Sequence, residues 1–137
     1  MQTLPDYLVV GLDTVSIGLN PSLPSVAKGF YFANPRNRFW RALNASDLLT
    51  QKIEPGKKAM RHLFQYERIG YTDLVKRPTS NASQLRAADY RNGAARLASK
   101  LKRYRPRIAW FHGKVACGQF LRYTDRERVA DLRWGRQ

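Results

Sequence analysis

Between Gly18 and Trp40 the chain gathers the residue types that could build a pocket for a flat ring. Asn20-Pro21 ends an apolar run, a glycine-containing loop follows, and Phe30-Tyr31-Phe32 then leads to a basic, helix-forming segment with Arg36 and Arg38. In an extended segment alternate side chains share a face, so Phe30 and Phe32 are expected to point one way and Tyr31 the other. One such face can stack on a planar heterocycle. Aromatics at alternate positions usually belong to a core, but Gly29 directly before them, with Lys28 and Arg36 nearby, favours a wall open to a ligand. On residue type alone Asn20 reads as a turn former, because an Asn side chain readily bonds the nearby backbone.

These residues need a frame. Val15 to Leu19 is short, β-branched and bounded by turn signals, which predicts a buried strand with Asn20 at its carboxyl end. Open α/β sheets bind ligands at that edge. Asn37 is placed to cap a helix from about Arg38 to Leu48 with Phe39, Leu43 and the Trp40 ring toward the core. Ile69 to Val75 is a second strand, and Arg77 to Ser83 is a loop of turn formers. From about Ala87 to Tyr104, Ala94, Leu97, Leu101 and Tyr104 recur at helical spacing while Arg96, Lys100 and Arg103 line another face. Pro106 closes that helix, Arg107 to His112 is a third strand, and Gly113 and Lys114 open a last helix through Val115, Phe120 and Leu121. Strands alternating with helices predict an α/β, doubly wound fold with a mainly parallel sheet.

The composition fits one globular domain. The 137 residues are 43% hydrophobic and 26% charged, enough to bury roughly two-thirds of the unfolded surface. The 25 Lys and Arg outweigh 10 Asp and Glu, a net charge of +15, which favours polyanionic partners over simple surface solvation. Arg91, Arg96, Lys100, Lys102, Arg103, Arg105 and Arg107 lie opposite an apolar stripe and are expected mostly to face solvent. The single cysteine, Cys117, forms no internal disulfide, and no Cys/His cluster has zinc spacing. A reducing cytosolic or nuclear setting is expected. The first 27 residues hold neither Lys nor Arg and no long apolar run, which argues against a signal peptide, a transit peptide or a membrane span.

Four blocks in order carry a likeness to a known family. They are Gly18-Leu19-Asn20-Pro21-Ser22 with Lys28-Gly29-Phe30 and Asn37-Arg38-Phe39-Trp40; Gly70-Tyr71-Thr72-Asp73-Leu74-Val75-Lys76-Arg77-Pro78-Thr79; Tyr104-Arg105-Pro106-Arg107-Ile108-Ala109 with Gly113-Lys114; and Trp134-Gly135-Arg136-Gln137. In these the chain resembles the mismatch-specific uracil/thymine DNA glycosylases of the uracil-DNA glycosylase superfamily. The resemblance covers nearly the whole chain, as a single domain over residues 1–137. It implies a three-layer α/β fold and a monofunctional repair enzyme, needing no cofactor or metal. Such an enzyme hydrolyses the N-glycosidic bond of uracil, thymine or a related damaged pyrimidine flipped out of mispaired double-stranded DNA, acting as a monomer.

By the same resemblance Asn20 holds the attacking water and Thr72 supports it, with a structural hydrogen bond as the alternative for a strand threonine. Phe32 stacks on the base, main-chain groups of Leu19 and Phe32 read its edge, and Ser22 and Ser25 line the pocket. Ser22 stands where the family has a second glycine, which narrows the pocket toward uracil. Lys28, Arg36, Arg38, Arg77 and Lys114 are the expected phosphate contacts, whereas His62 and His112 match no role and read as structural, although His112 lies at a strand end that a pocket can reach. The sequence ends at Gln137, ahead of the family's second motif, an Asn-Pro-Ser-Gly-Leu-type loop, and of its last strand and helix. The alternative reading is a catalytically inactive, basic nucleic-acid-binding fragment or pseudoenzyme of the same family.

Overall fold

The computed structural model describes residues 2–124. The block Trp134 to Gln137 lies outside the described residues. Strand β1 (Thr14–Gly18) runs between β2 (Ile69–Asp73) and β3 (Ile108–Phe111), and both pairings are parallel. The register sets Ile17 opposite Thr72 and Phe111, and Gly18 opposite Asp73. All five residues of β1 are buried, as a parallel strand covered on both faces requires.

Alternation along the strands feeds two cores. Val15 and Ile17 pack with Leu97 and Leu101 of α4 (Ala87–Tyr104) and with Phe120 of α5 (Lys114–Tyr123). Ile69 and Tyr71 turn to the opposite face, against Phe39 and Leu43 of α2 (Phe39–Ala45) and Met60 and Leu63 of α3 (Lys57–Tyr66). Each such aliphatic side chain contributes about 1.5–3 kcal/mol by leaving water. The result is the three-layer, parallel architecture that the alternating pattern predicts. Gly93 lets α4 lie directly on the end of β2, since a Cβ there would stand 2.2 Å from the Leu74 carbonyl oxygen. Arg105 ends α4 in the left-handed region at φ 48°, just ahead of Pro106.

The amino-terminal segment covers one sheet edge. Tyr7 and Tyr71 exchange backbone hydrogen bonds of 2.9 and 3.0 Å, and Leu4 sinks into the second core. Among the described residues, no helix is long and apolar enough to cross a membrane.

Several local expectations are corrected. A six-residue helix, α1 (Leu23–Lys28), intervenes after Pro21, capped by the Ser22 hydroxyl and ended by Gly29 at φ 79°. Phe30 to Phe32 then form a turn rather than an extended strand. Tertiary contacts hold that turn: the Tyr31 N–H meets the Met60 sulfur at 3.2 Å, and Trp40 Nε1–H donates to the Tyr31 carbonyl at 3.1 Å. The helix expected to reach Leu48 stops at Ala45, because the Ser46 hydroxyl turns back to the Leu43 carbonyl. Asn37 is not the cap: Arg38 holds that position without a side-chain cap, and Asn37, one residue earlier, accepts from the Phe39 N–H at 2.8 Å in the turn that leads into the helix.

Candidate active site

The carboxyl ends of the three strands open onto a cleft of about 450 Å³. Beyond Gly18 the chain is held by β2's continuation, where the Leu74 and Val75 N–H groups donate to the Gly18 and Leu19 carbonyls at 2.8 and 2.9 Å. That fixes Asn20. Its side-chain nitrogen donates to the Arg77 carbonyl at 3.0 Å and to the Thr79 hydroxyl at 2.9 Å. A carbonyl only accepts, so the amide can be oriented one way, and the remaining Oδ1 is an acceptor on a residue that lines the cleft. The Thr79 N–H donates in turn to the Pro21 carbonyl, pinning the loop after β2 beside the Asn-Pro turn.

Two serines tie this turn to the aromatic wall. The Ser22 hydroxyl accepts from the Ser25 N–H at 3.1 Å, the two hydroxyls lie 3.0 Å apart, and the Ser25 hydroxyl accepts from the Ala33 N–H at 3.1 Å. Ser22 is therefore a helix cap as well as a lining residue. Phe32 sits at φ 58°, a conformation unfavourable for a side chain with a Cβ and retained because its surroundings impose it. Its ring lies 4.4 Å from that of Phe39 and 4.9 Å from that of His112, centroid to centroid.

At Gly18 the cleft wall packs too closely for any side chain. A Cβ at this position would lie 2.6 Å from Asp73 Oδ1 and 3.3 Å from the Phe32 ring. Asp73 is 3% exposed and its Oδ2 has no hydrogen-bond partner, with the Lys76 ammonium at 3.5 Å. Burial raises its carboxyl to about 7, with Lys76 pulling the other way. Across the cleft, burial lowers the His112 imidazole to about 4, so the ring is neutral at physiological pH. Its Nε2 lies 2.6 Å from the Ser16 hydroxyl.

The structure brings Leu19, Asn20, Ser22, Ser25, Phe32 and Arg36 to one cleft. It does not bring Thr72 there. Thr72 is buried, and its hydroxyl donates to Asp6 Oδ1 at 2.7 Å; the next residue along the strand, Asp73, is the one that faces the cleft. Arg77 is occupied by Asp89, at 2.8 and 3.1 Å, and by the Gln84 carbonyl. Lys28, Arg38 and Lys114 are exposed and stand outside the lining. Thr79, Asp73 and His112 line the cleft without having been singled out for it. Only His112 gave a signal, its place at a strand end. Among the described residues, no three His, Cys, Asp or Glu side chains come together as metal ligands would.

The family model of the uracil DNA glycosylase superfamily matches residues 5–135. The chain is also 39% identical over 111 residues to a Schizosaccharomyces pombe protein named G/U mismatch-specific uracil DNA glycosylase. That alignment takes in 81% of this chain and 34% of the relative, so the chain spans about a third of the relative's length. With this match from Pro5 onward and a cleft built from the Asn-Pro turn at the carboxyl edge of a parallel sheet, the chain belongs to the uracil DNA glycosylase superfamily.

Proposed function

We propose that the chain hydrolyses the N-glycosidic bond of uracil, or of thymine or a related damaged pyrimidine, in mispaired double-stranded DNA. The base enters the cleft by flipping out of the stack, and Phe32 supplies the ring on which it lies. The C1′–N1 bond breaks with its electron pair going to the base, while water adds to C1′ and its proton passes to the departing base or to solvent. An abasic site and a free pyrimidine result.

The observation that carries this reading is the fixed amide of Asn20. With both its N–H groups committed to Arg77 and Thr79, Oδ1 is set to accept from a water held over the sugar. A neutral amide suffices, because the sugar passes through an oxocarbenium-like state and needs an oriented water rather than a strong nucleophile. Main-chain groups of Leu19 and Phe32 at the cleft read the base edge and share the charge of the leaving pyrimidine. Arg36 at the rim, with exposed Lys28, Arg38 and Lys114, supplies the cations for phosphates.

The test is incubation with G·U, G·T and A·U duplexes followed by alkali, which cleaves at abasic sites. Strand cleavage on a mispaired substrate by the wild type and none by Asn20→Ala supports the reading. Binding without cleavage on any substrate makes the chain a nucleic-acid-binding member without catalysis.

A further inference from the structure

The three strands begin at the end of the sheet opposite the cleft, and basic side chains gather there. Register sets Ile69 and Ile108 beside Thr14, so Arg68, Asp13 and Arg107, each one residue earlier, share the amino-terminal edge. Helix α4 starts near the carboxyl edge, where Gly93 lies on Leu74, and runs back to bring Lys102, Arg103 and Arg105 to the same end. All of these basic residues are exposed. The Arg103 guanidinium is set over the Tyr104 ring at 5.3 Å from its centroid.

Neighbouring acids leave most of this charge unopposed. Asp13 pairs with Arg107 at 3.0 Å, and the Arg107 side chain is still 81% exposed. Glu67, beside Arg68, accepts from the Thr50 hydroxyl at 3.0 Å. Among the described residues, Arg68, Lys102, Arg103 and Arg105 make no ion pair. Two of them also sit where a glycine would be relaxed, Arg68 at φ 57° and Arg105 at φ 48°. Phe32, in the cleft wall, is the other non-glycine residue in that region among the described residues. Strained positions of this kind cluster at binding surfaces.

We propose that this amino-terminal edge is a second surface for duplex DNA, whose arginines take the phosphates of one segment while the cleft holds another. Like charges crowded on one face repel one another and are relieved by a polyanion, and guanidinium groups match phosphate geometry. The polymer seated at the cleft is the polyanion nearest to hand. A strand of five residues rises roughly 16 Å, so a duplex at the carboxyl edge leaves this face free for a second one. The inference goes beyond the glycosylase reading and takes from it only that DNA seats at the cleft.

In the experiment, beads carrying a G·U duplex are loaded with the full chain, rinsed, and offered a fluorescent G·C duplex in about 50 mM salt. The wild type is compared with the double variant Arg68→Gly, Arg105→Gly. That variant removes two charges and relaxes both backbone positions, so its thermal transition should hold or rise. The wild type captures the second duplex. The double variant loses most of that capture, and the slope of log K against log salt for the captured duplex falls by about 1.8, two phosphate contacts. Excision from a free G·U duplex stays at the wild-type level. No capture by the wild type, or equal capture by the double variant, overturns the proposal. So does sedimentation that finds two protein copies in each bridged pair of duplexes, because the chain then joins to itself. A single-stranded RNA that displaces the fluorescent duplex at lower concentration than DNA does also overturns it, since the face then belongs to RNA. If neither protein excises uracil yet the wild type alone bridges the duplexes, the glycosylase reading falls and the second surface stands.

Discussion

The Asn20 side-chain nitrogen meets the Thr79 hydroxyl at 2.9 Å across 59 residues of sequence. One end of the cleft is thereby clamped to the other, because Thr79 also donates its N–H to Pro21. Replacing Thr79 with Val removes the hydroxyl and keeps the shape, leaving the amide held only by the Arg77 carbonyl. One net hydrogen bond is worth about 0.5–1.5 kcal/mol. Thr79→Val is expected to slow excision roughly two- to thirteenfold with little change in duplex affinity, while Asn20→Ala abolishes it. Equal single-turnover rates for Thr79→Val and wild type would show that the clamp does not orient the amide.

The basic residues divide by what they already hold. Arg77 is committed to Asp89 and Gln84, and the ion pair lowers the Asp89 carboxyl through the Arg77 hydrogen bond. Arg36 is exposed at the cleft rim. In a salt titration of duplex binding, Arg36→Ala should reduce the slope of log K against log salt by about 0.9, one phosphate contact. Arg77→Ala should leave the slope nearly unchanged and lower the thermal transition instead. The opposite assignment would mean that DNA displaces Asp89.

Phe32→Ala tests the stacking wall. Base stacking on an aromatic is worth about 1–3 kcal/mol, so capture of a flipped uracil should weaken by roughly five- to 150-fold. Gly18→Ala should be at least as damaging, since its Cβ would lie 2.6 Å from Asp73 Oδ1 and 3.3 Å from the Phe32 ring and must push these two cleft-lining side chains out of place. Excision at the wild-type rate by both variants would place the base elsewhere.

The strands and α4 were legible because their signals are local: short β-branched runs between turn formers, and Ala94, Leu97 and Leu101 at helical spacing. Helix α1 was written in Ser22, Pro24 and Gly29, but six residues are too few for a period to show. Phe30 to Phe32 look extended by residue type, and become a turn only through Met60 and Trp40. That Asp73 and not Thr72 lines the cleft has a different origin. Both faces of β2 are buried, so hydrophobicity does not mark which face the cleft uses, and a one-residue difference in parity decides it. The pairing of Arg77 was not legible because its partner, Asp89, lies in the next helix.

Asp73 and His112 face one cleft with pKa values moved in opposite directions, and their effects on stability oppose each other. His112 is lowered by burial from 6.5 to about 4. Between those values the unfolded chain takes up a proton that the folded chain refuses, so its contribution is complete above about pH 6.5 and is lost as pH falls toward 4. Asp73 is raised by burial from 3.8 to about 7. There the unfolded chain releases a proton that the folded chain keeps, so its contribution is complete below about pH 4 and is lost as pH rises through 7. Each slope approaches about 1.4 kcal/mol per pH unit at its steepest. Across pH 4 to 6.5 they largely cancel, and the wild-type unfolding free energy should be nearly level there. His112→Gln, which keeps a polar group toward Ser16 and cannot be protonated, exposes the Asp73 slope, so its stability should fall as pH rises through this window. Asp73→Asn exposes the His112 slope and should gain stability over the same range. Denaturant melts at half-unit pH steps measure both, and parallel profiles for the two variants would show that neither group is shifted as its burial requires.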